Sequence, residues 1–236
     1  MELIINADDF GFSKGVNYGI IDSHRHGIVN SATLMVNTPG TEHAVELAKS
    51  YPNLRVGIHL VLTFGQPVHD HVPTLINEKG LFKLDKNFKS SIDINPEEVL
   101  AEWDAQIKKF RSFGIHPSHI DSHHHVHGWP VLEEVVKQLS LTYNLPVRNA
   151  FKRQVDGIPL LTEQFNDNFY GEKADVEFFE NLLKEMKDNE MGSLEVMCHP
   201  AYIDTYLRMH SSYCDMRLKE VDVLTDGALK ALLLEK

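Results

Sequence analysis

Short apolar runs recur along this chain, each followed by a turn and then by a segment whose apolar residues have helical spacing. No other feature constrains the fold as tightly. A strand without polar alternation must be covered on both faces, and parallel strands separated by helices provide that cover. Leu3-Ile4-Ile5 is the first run, and it ends in Asn6-Ala7-Asp8-Asp9-Phe10-Gly11. Ser13 then caps a helix that turns Val16, Ile20 and Ile21 inward, with Gly27 as its stop. Residues 31–36 and 55–62 read as the next strands, with a helix opening at Thr41 between them.

From 63 to 95 the chain is rich in Gly, Pro, Asp and Asn. A connection of that length is expected to form a lid or wall of a functional site. Asn95-Pro96-Glu97-Glu98 starts a helix, with a cap, a proline at the first helical position and acids against the positive end. Val99, Trp103, Ile107 and Phe110 form its buried stripe. A short extended run at 118–121 precedes a helix over 130–141. Residues 145–148 read as another short strand and 149–172 as irregular. Asp175 caps a helix carrying Phe179, Leu182 and Met186, 194–197 is again a strand, and helices over 209–219 and 225–234 close the chain.

Six or seven strands alternate with helices without a composition break or an internal repeat. The pattern predicts one domain over residues 1–236: an α/β, single-domain irregular or incomplete (β/α) barrel with parallel strands, in preference to an open doubly wound sheet. A net charge of −11 argues against nucleic acid or an anionic membrane as partner. No stretch approaches the roughly 18 apolar residues of a membrane span. The N-terminus carries no leader pattern, and the two cysteines, Cys198 and Cys214, are too few for a disulfide framework, so reduced thiols and a cytoplasmic location are expected. The glycine-rich nucleotide fingerprints are absent from the sequence. A homodimer is compatible with such a domain, and no feature names a protein partner.

In a parallel α/β fold all strand C-termini open onto one face, where chemistry is done. Asp8 and Asp9 follow the first run, His59 lies in the third, and His199 follows the last. Between them, His119-Ile120-Asp121-Ser122-His123-His124-His125-Val126-His127 packs five histidines and an aspartate into nine residues. His123 and His127 are expected to point the same way whether that segment is extended or helical. One carboxylate and two histidines with open positions can hold a divalent ion, which lowers the pKa of bound water and polarises a carbonyl. An adjacent carboxylate can then serve as general base, and a histidine across the site can donate to a leaving amine. The matching chemistry is metal-assisted hydrolysis of an amide or ester. The structural alternatives are a strand-end turn for Asp8-Asp9, a core histidine for His59 and a packing role for His199.

The blocks Asn6-Ala7-Asp8-Asp9-Phe10-Gly11, Gly57-Ile58-His59-Leu60, His119 through His127 and Leu194-Glu195-Val196-Met197-Cys198-His199-Pro200 resemble the signature blocks of the YdjC-like carbohydrate deacetylases. The resemblance covers essentially the whole chain. It implies a barrel variant that removes an acetyl group from N-acetylglucosamine units of short chitin oligosaccharides, with Asp9, His59 and His123 as metal ligands and magnesium as the ion. Two imidazoles suit zinc, manganese or cobalt better than magnesium. Asp8 as base and His199 as acid are mechanistic assignments beside that ligand set. His125 and His127 are expected behind the ligands or as an exchanged ligand, and Arg148 either orients Asp8 or binds the substrate. The rival readings are a barrel amidohydrolase or phosphoesterase acting on a non-sugar compound, and a metal-dependent sugar-binding module. The second adjacent carboxylate speaks against the last.

Overall fold

The computed structural model describes residues 1–84 and 94–234. Part of the long connection expected over 63–95, namely 85–93, lies outside the described residues. The elements run β1 (Glu2–Phe10), α1 (Lys14–Arg25), β2 (Ser31–Leu34), α2 (Thr41–Ser50), β3 (Arg55–Leu60), α3 (Pro96–Ser112), β4 (Ile120–Ser122), α4 (Glu133–Tyr143), β5 (Gln164–Asn166), α5 (Val176–Asp188), β6 (Ser193–Cys198), α6 (Thr205–His210), α7 (Asp215–Leu224) and α8 (Gly227–Leu234). Six parallel strands stand in the order β4-β3-β2-β1-β6-β5 and curl into a half-barrel with helices between successive strands. This is the incomplete barrel that the alternation of apolar runs predicts.

The central strands read as apolar runs because both of their faces are covered. Ile4, Ile5, Ala32, Leu34, Ile58 and Val196 are buried. The α3 stripe of Val99, Trp103, Ile107 and Phe110 is wholly buried against them, each side chain contributing about 1.5–3 kcal/mol. The helix starts as expected: Asn95 accepts the Glu97 N–H, with Pro96 at the first position. Among the described residues no helix is long and apolar enough to cross a membrane.

Three segments differ from expectation. Residues 145–148 form isolated bridges rather than a strand, with Val147 pairing Ile120 on one side and Leu160 on the other. Pro146 lacks the N–H that a full ladder would need there. The ladder thus continues past β4 to 159–161, and that segment runs on into β5 at the opposite edge. β5 itself lies in the region expected to be irregular, since Gln164-Phe165-Asn166 carries no apolar run. The helix expected over 209–219 is two helices, α6 and α7, broken at 211–214, where the Ser211 hydroxyl takes the Tyr213 N–H.

Gly57, on the same side of β3 as His59, shows how tightly β4 is seated. A Cβ there would lie 2.4 Å from the His119 ring. Gly57→Ala is expected to cost about 1–3 kcal/mol in urea unfolding. Adding His119→Ala should recover part of the loss, and a double-mutant cycle with no coupling would show that the ring is not the obstacle.

Candidate active site

Both aspartates reach one cavity because β1 is irregular where they sit. In a regular strand adjacent side chains point to opposite faces. Here the pairing of β1 with β2 slips between Ala7 and Phe10, and Asp9 takes a left-handed φ of 67°. Such a backbone costs about 1–3 kcal/mol and persists only where its surroundings impose it. The Phe12 N–H to the Asp9 carbonyl at 2.9 Å is part of that restraint. Asp8 and Asp9, both buried, consequently line the same cavity of about 540 Å³. His59, His123 and His199 complete its floor, and Phe64, Tyr170 and Tyr213 belong to its walls.

Asp9 Oδ1 lies 3.5 Å from His59 Nε2 and 3.2 Å from His123 Nδ1. Two ligand atoms, each about 2.1 Å from a shared cation and seen from it at about 90–110°, stand about 3.0–3.4 Å apart. The three atoms lie within 4.8 Å of one another, and Asp9 Oδ1 is buried without a hydrogen-bond partner. A buried, partnerless carboxylate oxygen facing two imidazole nitrogens fits a divalent cation. Asp9 Oδ2 accepts from Arg217 Nη2 at 2.6 Å. Burial alone would raise the pKa of Asp9, but Arg217 and the two histidines hold it well below the carboxylate range.

Behind His59, its Nδ1 stands 2.8 Å from Asp121 Oδ1, and Thr33 donates to Asp121 Oδ2 at 2.9 Å. That support sets the ring so that Nε2 faces Asp9. Burial would lower the His59 pKa, yet Asp121 and Asp9 lift it to about 10 in the ion-free protein. A cation binding there displaces a proton.

Arg148 lies under Asp8. Its Nη1 and Nη2 donate to the two Asp8 oxygens at 2.7 and 2.6 Å, Nε donates to Glu195 Oε1 at 2.8 Å, and Nη2 is 2.8 Å from Asp121 Oδ2. Asn6 adds a further bond to Asp8 at 2.9 Å. Burial would push the Asp8 pKa up, but Arg148 outweighs it and keeps the group ionised. Arg148 is 0% exposed. Its contacts run to Asp8, Asp121 and Glu195. Glu195, whose burial outweighs the same arginine, is raised to about 7.

The histidine-rich stretch is a pair of tight turns rather than a regular element. His124 and His125 have left-handed φ values of 56° and 54°, and these reverse the chain. The expectation that His123 and His127 share a direction is thereby corrected. His123 faces Asp9, whereas His127 is buried between the Ser122 hydroxyl at 2.6 Å and the Arg148 carbonyl at 3.2 Å. His125 lines the cavity with a partnerless Nδ1, and burial, assisted by Arg148, lowers its pKa to about 4. His199 likewise leaves Nδ1 without a partner. Burial and Arg217 lower its pKa to about 4, so the ring is neutral. Its backbone N–H is held by Glu220, which also accepts the Tyr213 hydroxyl at 2.5 Å.

Arg217, Glu220 and Glu195 are site residues that the sequence reading missed. Glu195 carried a signal, being a charge inside an apolar run. Arg217 and Glu220, three apart on α7, look like an ordinary solvated helix face.

A curled parallel sheet whose strand ends gather acids and histidines around one cavity belongs among the barrel-type α/β proteins that work at that face. The chain belongs to the YdjC-like family, whose model ("YdjC-like protein") matches residues 2–235. It is 48% identical to a carbohydrate deacetylase of Halalkalibacterium halodurans, over 95% of each chain. It is 41% identical to a chitooligosaccharide deacetylase of Serratia marcescens, over 99% of this chain and 94% of that one. A crystal structure of an Enterococcus faecalis protein, provisionally assigned to cellobiose-phosphate cleavage, superposes with a TM-score of 0.91 at 38% identity, covering 99% of this chain and 94% of the other.

Two outcomes follow from the buried charges. Arg148→Met strips the counter-charge from three buried carboxylates, and urea unfolding should register a loss of about 3–5 kcal/mol. The second concerns pH. His119, His125, His127 and His199 have pKa values lowered, first by burial, to about 4, 4, 3 and 4. As pH falls through the ordinary value of 6.5, the unfolded chain takes up these protons and the fold does not, so stability is lost. Glu195 and Glu220, raised to about 7, act in the opposite sense between pH 7 and 4.5, and His59, raised to about 10, does so until the pH reaches 6.5, but they are outnumbered. The ion-free protein is expected to unfold at lower urea at pH 5 than at pH 7, each histidine withdrawing about 2 kcal/mol before that offset.

Proposed function

We propose that the chain is a metal-dependent carbohydrate N-deacetylase that removes an acetyl group from N-acetylglucosamine units of short chitin oligosaccharides in the cytoplasm. The observation that carries the reading is the approach of His59 and His123 to the partnerless Asp9 Oδ1, beside a second carboxylate, Asp8, that is held ionised. The names of the full-length relatives, carbohydrate and chitooligosaccharide deacetylase, support the substrate class. Asp9, His59 and His123 would hold one divalent ion, which when bound activates water and polarises the acetyl carbonyl. Family resemblance points to magnesium, while the donor set suits zinc, manganese or cobalt.

The remaining work falls to the protein's own side chains. Arg148 and Asn6 fix the Asp8 carboxylate from behind, and Asp8 removes a proton from the attacking water. His199, neutral at rest, conveys a proton to the departing amine nitrogen. The site thus starts and finishes with Asp8 ionised and His199 neutral, and the proton taken from water ends on the amine. Arg217 orients Asp9 and, with Nη1 partnerless at the cavity, has a donor left for a substrate oxygen. His125 stands beside the ligands as a further polar contact.

Protein loaded with a divalent ion is expected to release acetate from diacetylchitobiose, and His59→Ala or His123→Ala should abolish both release and stoichiometric metal in elemental analysis. Asp121→Asn, which removes the negative charge behind His59, should weaken metal binding about 10–100-fold. Failure of metal-loaded protein to release acetate from any N-acetylated sugar would falsify the substrate class. Turnover of a phosphate ester or a cyclic amide with sugars inert would replace it by the non-sugar reading.

A further inference from the structure

Tyr170 stands between two cavities. It borders both the catalytic cavity and a second one of about 400 Å³, and Met197 is the other residue common to the two. Asp167, Asn168 and Lys173 complete the second cavity, all from the segment between β5 and α5. Tyr170 is 45% exposed, yet its ring is firmly held. It stacks on Tyr213 with centroids 3.9 Å apart and planes 14° from parallel. The Tyr213 hydroxyl in turn accepts the Gly171 N–H at 2.8 Å and donates to Glu220 at 2.5 Å. His199 meets Tyr170 edge-on at 5.8 Å, so the platform begins directly beside the catalytic floor.

A preorganised, half-exposed aromatic face next to an amide, a carboxylate and an ammonium is the chemistry that recognises a pyranose. The C–H face of the sugar packs on the ring, and its hydroxyls find both donors and acceptors. Nothing in the chemistry of acetyl removal requires this second cavity.

We propose that the second cavity is a subsite for the sugar ring adjoining the one that is deacetylated, with Tyr170 as the platform between them. This rests on the deacetylase reading. It makes the residues of the β5–α5 segment determinants of oligosaccharide preference, while Asp8, Asp9, His59, His123 and His199 act on the acetamido group.

The test compares wild-type protein with Tyr170→Ala, Tyr170→Phe and the double variant Asn168→Ala/Lys173→Ala, all loaded with the same divalent ion. Two constants are measured: KM for acetate release from diacetylchitobiose, and the inhibition constant of N-acetylglucosamine against that reaction. The subsite predicts that the advantage of dimer over monomer, the ratio of these constants, shrinks about five- to tenfold in Tyr170→Ala, by a smaller factor in the double variant, and is kept in Tyr170→Phe. A ratio unchanged in both Tyr170→Ala and the double variant overturns the subsite while leaving the deacetylase reading intact. Wild-type protein that releases acetate from no sugar overturns the deacetylase reading, and the subsite with it.

Discussion

The buried guanidinium of Arg148 is the interaction around which the site is organised. It meets carboxylates from three strands, Asp8 of β1, Asp121 of β4 and Glu195 of β6, all buried inside the half-barrel. Removing such charges from water costs several kcal/mol each, and their mutual attraction seldom does more than repay it. A nest of this kind is therefore a poor source of net stability and an effective means of position. It fixes Asp8 with a two-pronged bond, and through Asp121 it fixes His59. Arg148 can stand there because 146–148 continues the ladder beyond β4, so its side chain enters from the gap that the six strands leave open.

The same division, bonded behind and free in front, holds around the cavity. Asp9 is clamped by Arg217 on one oxygen and turns the other to His59 and His123. His199 is held through its backbone by Glu220, and its Nδ1 has no partner. Partnerless buried polar atoms are rare and costly in folded proteins. Here Asp9 Oδ1, His125 Nδ1 and His199 Nδ1 all belong to residues lining one cavity.

Much of this was legible in the sequence, for physical reasons that also explain what was not. Apolar runs announce doubly covered strands, so β1, β2, β3 and β6 could be read directly, and through them the common face that Asp8, Asp9, His59 and His199 approach. β5 carries no such run and was invisible. The histidine stretch advertised its composition but not its path, because the left-handed turn at His124 and His125 is set by tertiary packing rather than by local propensity. Asn and Asp tolerate that conformation more readily than His. Glu195 could have been suspected as a charge in a buried strand, whereas Arg217 could not, since an arginine at helical spacing is ordinarily solvated.

The two neighbouring aspartates acquire different capacities from their surroundings, in the way that paired acidic groups generally do. Asp8, His59 and Asp121 lie close enough together to suggest a second cation site. Arg148 already occupies that position, bonding both Asp8 oxygens and Asp121, and a cation there would have to displace a charge that has no route to water. Asp9 has one oxygen to spare, and it faces the two imidazoles. The bulge in β1 therefore does more than bring two acids to one cavity. By rotating Asp9 away from the Arg148 nest and toward Arg217, it separates a carboxylate with one oxygen turned to two imidazoles from one with both oxygens bonded to a guanidinium. A regular strand would have left Asp8 and Asp9 on opposite faces, with at most one of them at the chemistry.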